Sequence, residues 1–110
     1  MPMISRDEAS TAVRRIAETD PDFAEAKTEV ERSMWLCKHT RALVYEIVEG
    51  KSVEDRKQAV ERDEKVVAAE ERRLNAVLAF EKLKAERETK QLIVEVWRSV
   101  EATRRRETIQ

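Results

Sequence analysis

The chain is predicted to be all-α: a long antiparallel helical hairpin with a short N-terminal helix and coiled-coil-like patterning. Three observations predict it. One Gly and two Pro in 110 residues leave almost no turn chemistry for a β-protein. Residues 53–106 contain neither breaker and consist largely of Ala, Leu, Val, Glu, Lys, Arg and Gln, most of which enter a helix at little cost. The short Gly50-Lys51-Ser52 link joins two long apolar-periodic stretches, which makes them antiparallel neighbours.

Composition narrows the class. Charged residues are 41% of the chain and hydrophobic residues another 41%, which describes a solvated helix surface over a core rather than a disordered polyampholyte. A single helical domain over residues 1–110 is expected, small enough for oligomerisation to be an obvious source of extra burial. Cys37 stands alone, so no intrachain disulfide forms and a reducing compartment is expected. The start has no signal-peptide core and no run approaches the ~18 apolar residues of a membrane span, so a soluble cytoplasmic protein without a membrane partner is expected.

The first helix is expected over residues 6–18. Ser5 with Glu8 forms a capping-box pattern, and Ala9, Ala12, Val13 and Ile16 fall on one face. That stripe is thin, so the helix needs something larger to dock on. Thr19-Asp20-Pro21 reads as a boundary, with Asp20 as N-cap and Pro21 in the first helical position. The second helix is expected over residues 21–49, with Phe23, Ala26, Val30, Met34, Cys37, Val44 and Val48 on its stripe and Gly50 in the left-handed position after its end.

Ser52 caps a third helix over residues 53–106, and Asp63 is placed to cap a restart at the Arg62-Asp63 step. Val53, Val60, Val67 and Leu74 recur every seven residues, and the stripe continues as Val77, Leu78, Ala85, Leu92 and Val96. At ~1.5 Å per residue the second helix is roughly 43 Å long and an unbroken third helix roughly 81 Å. The third therefore overhangs its partner from about Ile93, and the apolar arc there must be covered by the first helix or by a second protomer. Ile93, Val96, Trp97 and Val100 are the candidate interface of a homo-oligomer, most simply a dimer.

Catalytic chemistry finds no support. Cys37 and His39, two residues apart on a helix, point about 200° away from each other and cannot share an ion. The carboxylates sit among cations at three- and four-residue spacings, such as Glu61 with Lys65, Glu70 with Arg73 and Glu86 with Lys90, the pattern of ordinary helix surfaces. Gly50-Lys51-Ser52 lacks the earlier glycine and the preceding strand of a phosphate loop. No enzyme, metal, cofactor or small-molecule substrate is expected. Trp97, Trp35, Tyr45 and Phe80 read as packing anchors rather than a ligand cage. Arg98 with Arg104-Arg105-Arg106 is the cluster of a single sign. It either compensates the negative end of the helix dipole or contacts phosphates, with Trp97 stacking on a base or packing an interface.

The run Leu92-Ile93-Val94-Glu95-Val96-Trp97-Arg98-Ser99-Val100-Glu101-Ala102-Thr103-Arg104-Arg105 resembles the end of the last helix in a group of small helical proteins of tailed phages and prophages. The likeness extends to Glu29-Val30-Glu31, to Glu49-Gly50-Lys51-Ser52-Val53-Glu54-Asp55-Arg56 and to Phe80-Glu81-Lys82-Leu83-Lys84, and covers roughly residues 24–106. The genes of such proteins tend to lie near phage single-strand annealing and replication genes. The resemblance thus implies a non-enzymatic phage accessory in DNA recombination or replication, acting in the cytoplasm of the host bacterium. Its partner would be single-stranded DNA or a phage recombination protein. The alternatives are a phage-encoded modulator of a host protein and a structural or assembly chaperone.

Overall fold

The computed structural model describes residues 4–109. They form α1 (Arg6–Ile47), α2 (Val53–Arg62) and α3 (Glu64–Ile109), with no strand among the described residues. α1 packs against α3 as a helical hairpin. Two compact units can be distinguished: Ala24–Glu81, which contains the turn, and Met1–Phe23 with Lys82–Gln110.

The helix starts lie where the side-chain chemistry puts them. Ser5 Oγ accepts from the Glu8 amide at 3.1 Å and Ser52 Oγ from the Asp55 amide at 3.1 Å. Asp63 leaves helical geometry at ψ 135°, and its Oδ1 accepts from the Lys65 amide at 2.8 Å. The helix after Gly50 is therefore two helices joined at one capping residue.

The expected boundary at Thr19-Asp20-Pro21 does not exist, and the first and second predicted helices are the single helix α1. A proline in a helix interior costs about 3 kcal/mol, because it removes one backbone bond and crowds the carbonyl four residues back. Here the turn before Pro21 is held from outside. The Thr19 hydroxyl donates to the Arg15 carbonyl at 2.8 Å, and Arg87 of α3 donates to the Ile16 carbonyl at 2.9 Å and to Thr19 Oγ1 at 2.8 Å. Asp20 is not a cap. Its carboxylate accepts from Arg87 at 2.5 Å.

In the unit that contains the turn, Val44, Val60 and Val66 form the core, one from each helix, with Tyr45 and Val48 packed against it. The Arg56 guanidinium lies 4.2 Å over the Tyr45 ring and donates to the Tyr45 carbonyl at 2.7 Å, so a side chain of α2 satisfies one of the last carbonyls of α1. α1 ends at Ile47, and Gly50 is not left-handed, since no glycine has positive φ. Its lack of a Cβ matters for a different reason. A Cβ at Gly50 would stand 2.9 Å from Arg56 Cγ and 3.0 Å from the Arg56 amide nitrogen, so glycine is what lets the turn close onto α2.

The rows that face the neighbouring helix alternate three- and four-residue steps, as in a coiled coil. On α1 they are Ala26, Val30, Ser33, Cys37, Thr40 and Val44 in the turn-containing unit and Ala9, Ala12, Ile16, Thr19 and Phe23 in the other, all buried or half-buried. On α3 the corresponding rows are Val66, Ala69, Arg73, Ala76 and Phe80, and then Leu83, Arg87, Lys90, Val94 and Trp97. The stripe expected to be buried on α3 lies instead largely in solvent: Val67 is 50%, Leu74 57%, Leu78 54% and Leu92 59% exposed. Met34 is likewise displaced from the α1 row by Ser33, which is fully buried. Small residues on α1 allow a close approach, and the α3 row that meets them interleaves Arg73, Arg87 and Lys90 among apolar residues.

Two of the three carboxylates expected to pair along their own helix reach across to α1 instead. Glu61 pairs with Arg41 at 2.8 Å and Glu86 with Arg15 at 2.6 Å, while Glu70 bonds both Arg73 at 3.0 Å and Arg41 at 2.9 Å. Guanidinium bonds hold three carboxyls below the usual range: Glu29 through Arg72, Glu70 through Arg73 and Arg41, and Glu86 through Arg15. A folded-state pKa below the unfolded one means that the charged form favours folding. This contribution is complete above the unfolded value near ~4.3 and disappears as pH falls through the folded values. Thermal melts followed by circular dichroism should therefore show a midpoint that declines below about pH 5, and Glu29→Gln with Glu86→Gln should flatten that decline.

Candidate nucleic-acid interface

The basic cluster occupies the end of α3. From 102 to 108 every residue is exposed. Arg104 donates to Glu101 Oε1 at 2.9 Å, one turn back on the same helix, and is thereby half-neutralised. Arg106 lies in the last turn, where a cation meets the negative end of the helix dipole. Arg98 and Arg105 are seven residues apart and so share a face. Among the described residues, none of Arg98, Arg105 and Arg106 forms an ion pair. Arg98 lines a shallow groove between α1 and α3 with Val13, Ile16, Asp20, Gln91 and Glu95. The end of α3 thus presents guanidinium groups to solvent with two carboxylates, Glu101 and Glu107, interleaved.

Trp97 is half-buried in the row that faces α1. Ile93 and Val100, at helical spacings from it, and Val96 are also half-buried, beside the exposed Leu92. The other aromatics are dispersed. Trp35, 62% exposed, stacks on His39 with ring centroids 4.8 Å apart, and Tyr45 lies beneath Arg56.

Cys37 is buried, and burial pushes its thiol up, away from the thiolate that nucleophilic chemistry needs. Among the described residues no group of three His, Cys, Asp or Glu side chains could hold a metal ion, and no helix is long and apolar enough to cross a membrane.

A second surface lies where Leu36, Leu43 and Ile47 add apolar side chains beside the expected stripe of α1. In the turn-containing unit, a groove of about 600 Å³ runs between α1 and α3, walled by Leu36, Leu43, Ile47 and Ala68 with Lys65 and Arg72 at its edge. Leu43 is 53% and Ile47 69% exposed. The signal was present in the seven-residue spacing of Leu36 and Leu43, but a stripe becomes a groove only once the position of α3 is known.

Compared with protein-family models, with curated proteins and with solved structures, the chain finds no match in any of the three.

Proposed function

We propose that this is a non-enzymatic helical accessory protein that binds nucleic acid through the end of α3, in the phage DNA recombination or replication that the sequence resemblance implies. It would then act in the cytoplasm of the host bacterium. The observation that carries this reading is the exposed set of Arg98, Arg105 and Arg106, none of which forms an ion pair among the described residues. Such groups neutralise phosphates without first breaking an intramolecular bond, and release of the phosphate counterions supplies the affinity. Arg104 contributes less because Glu101 already holds it.

With about three phosphates neutralised per chain, the logarithm of the binding constant for single-stranded DNA should fall with the logarithm of salt at a slope near ~−2. Fluorescence anisotropy with a labelled oligonucleotide measures it. Arg98→Ala with Arg105→Ala and Arg106→Ala should weaken binding and bring the slope towards zero while helix content stays constant. Absence of binding to single- or double-stranded nucleic acid at low salt would overturn this reading. The exposed apolar wall of Leu43 and Ile47 would then favour the second one, a protein that modulates a host protein or assists an assembly by taking a partner's apolar segment.

A further inference from the structure

Near the end of α3, Leu92, Ile93, Val96, Ser99, Val100 and Thr103 recur at helical spacings and share one side of the helix. None is charged, in a chain in which 41% of residues are. Leu92 is 59% exposed, Ser99 and Thr103 are exposed, and Ile93, Val96 and Val100 are half-buried, so this side is covered only in part within the chain. We propose that it is covered by the same side of a second copy of this chain, with the two α3 helices antiparallel about a two-fold axis.

Three features select a second copy. Between Leu92 and Thr103 this side meets itself without opposing like charges. With Val96 placed opposite Ser99 of the second copy, Leu92 meets Thr103 and Ile93 meets Val100, so that large residues face smaller ones and each contact occurs twice. The same register sets Glu88 opposite Arg106 of the second copy, on one flank of the seam. Neither residue forms an ion pair within its own chain among the described residues. A parallel pairing would instead bring the two Arg-rich ends together. Trp97, four residues from Ile93 and three from Val100, borders this surface, and Leu92 extends it on the opposite flank. Arg98 and Arg105 share a face of α3 away from the seam, whereas Arg106 is drawn into it, so the dimer would leave Arg98 and Arg105 as the guanidinium groups open to nucleic acid.

Sedimentation of the full chain from low to high micromolar concentration tests the proposal. A mass approaching twice 12.8 kDa is expected, falling to 12.8 kDa on dilution. Val96→Glu should raise the dissociation constant at least about thirtyfold with an unchanged far-ultraviolet spectrum. Glu88→Arg should weaken the dimer, and Glu88→Arg combined with Arg106→Glu should restore it, an outcome that only the antiparallel register produces. A wild type that remains at 12.8 kDa throughout, a Val96→Glu variant that still dimerises, or a double reversal that fails to restore the dimer would each overturn the proposal.

Discussion

Replacing Arg87 with Ala should destabilise the protein by about 2–3 kcal/mol, a large effect for a residue type that is usually dispensable on helix surfaces. Its side chain is only 13% exposed. It bonds the Ile16 carbonyl, Thr19 Oγ1 and Asp20, and it lies 4.7 Å over the Phe23 ring. Asp20, 63% exposed, recovers water when the arginine is lost, so the ion pair itself contributes little. The loss falls on Thr19, 1% exposed, whose oxygen keeps its donated bond but loses its incoming one, and on a proline-containing turn left without its external support. Urea unfolding should show the loss of stability, and amide exchange should localise it to the turn before Pro21. Arg87→Lys should recover only part of it, because an ammonium cannot reach three acceptors and an aromatic face from one planar group. If Arg87→Ala unfolds at the wild-type urea midpoint, α1 crosses Pro21 for another reason.

Ala12→Leu should cost about 1–3 kcal/mol through overpacking, while Val13→Leu, one residue along, should cost almost nothing. Ala12 is 1% exposed against α3 and Val13 is 52% exposed. Adding three carbons at Ala12 forces the helices apart or drives the new side chain off its rotamer. Ser33→Leu in the turn-containing unit should behave like Ala12→Leu, since Ser33 has no exposed surface and its hydroxyl is bonded only to the Val30 carbonyl of its own helix. Thermal melts separate these cases, because ~1 kcal/mol moves the midpoint by several degrees in a chain of this size. Equal melting of the Ala12 and Val13 variants would contradict the seam.

Local chemistry was the legible part of this sequence. Ser5, Ser52 and Asp63 each cap a helix through an atom that acts two or three residues away, and a scarcity of glycine and proline is sufficient for an all-α fold. What depended on distant partners was not legible. Pro21 reads as a boundary because the group that holds its helix together, Arg87, lies far along the chain on α3. The buried row of α3 was misidentified for a related reason. Hydrophobicity favours Leu74, Leu78 and Leu92, but the helix that α3 meets is lined with Ala, Ser and Thr, and long polar side chains fill the remaining space with their stems. At the basic end the arginines could be named from the sequence, while the Arg104–Glu101 pair came from the structure. That Trp97 is half-buried while Leu92 is 59% exposed is decided by where α1 sits.

The spacing of the ion pairs along the hairpin makes an order of folding testable. Arg41–Glu61 closes a segment of 20 residues, Glu29–Arg72 one of 43 and Arg15–Glu86 one of 71. Forming the most distant pair first from an open chain costs most in loop entropy, whereas each pair formed after its inner neighbour encloses only a short new stretch. The route of least cost is a zipper that starts where Val44, Val60 and Val66 meet. Stopped-flow measurements should therefore show slower folding when those three residues are weakened, and mainly faster unfolding for changes at Ala12 or Arg87.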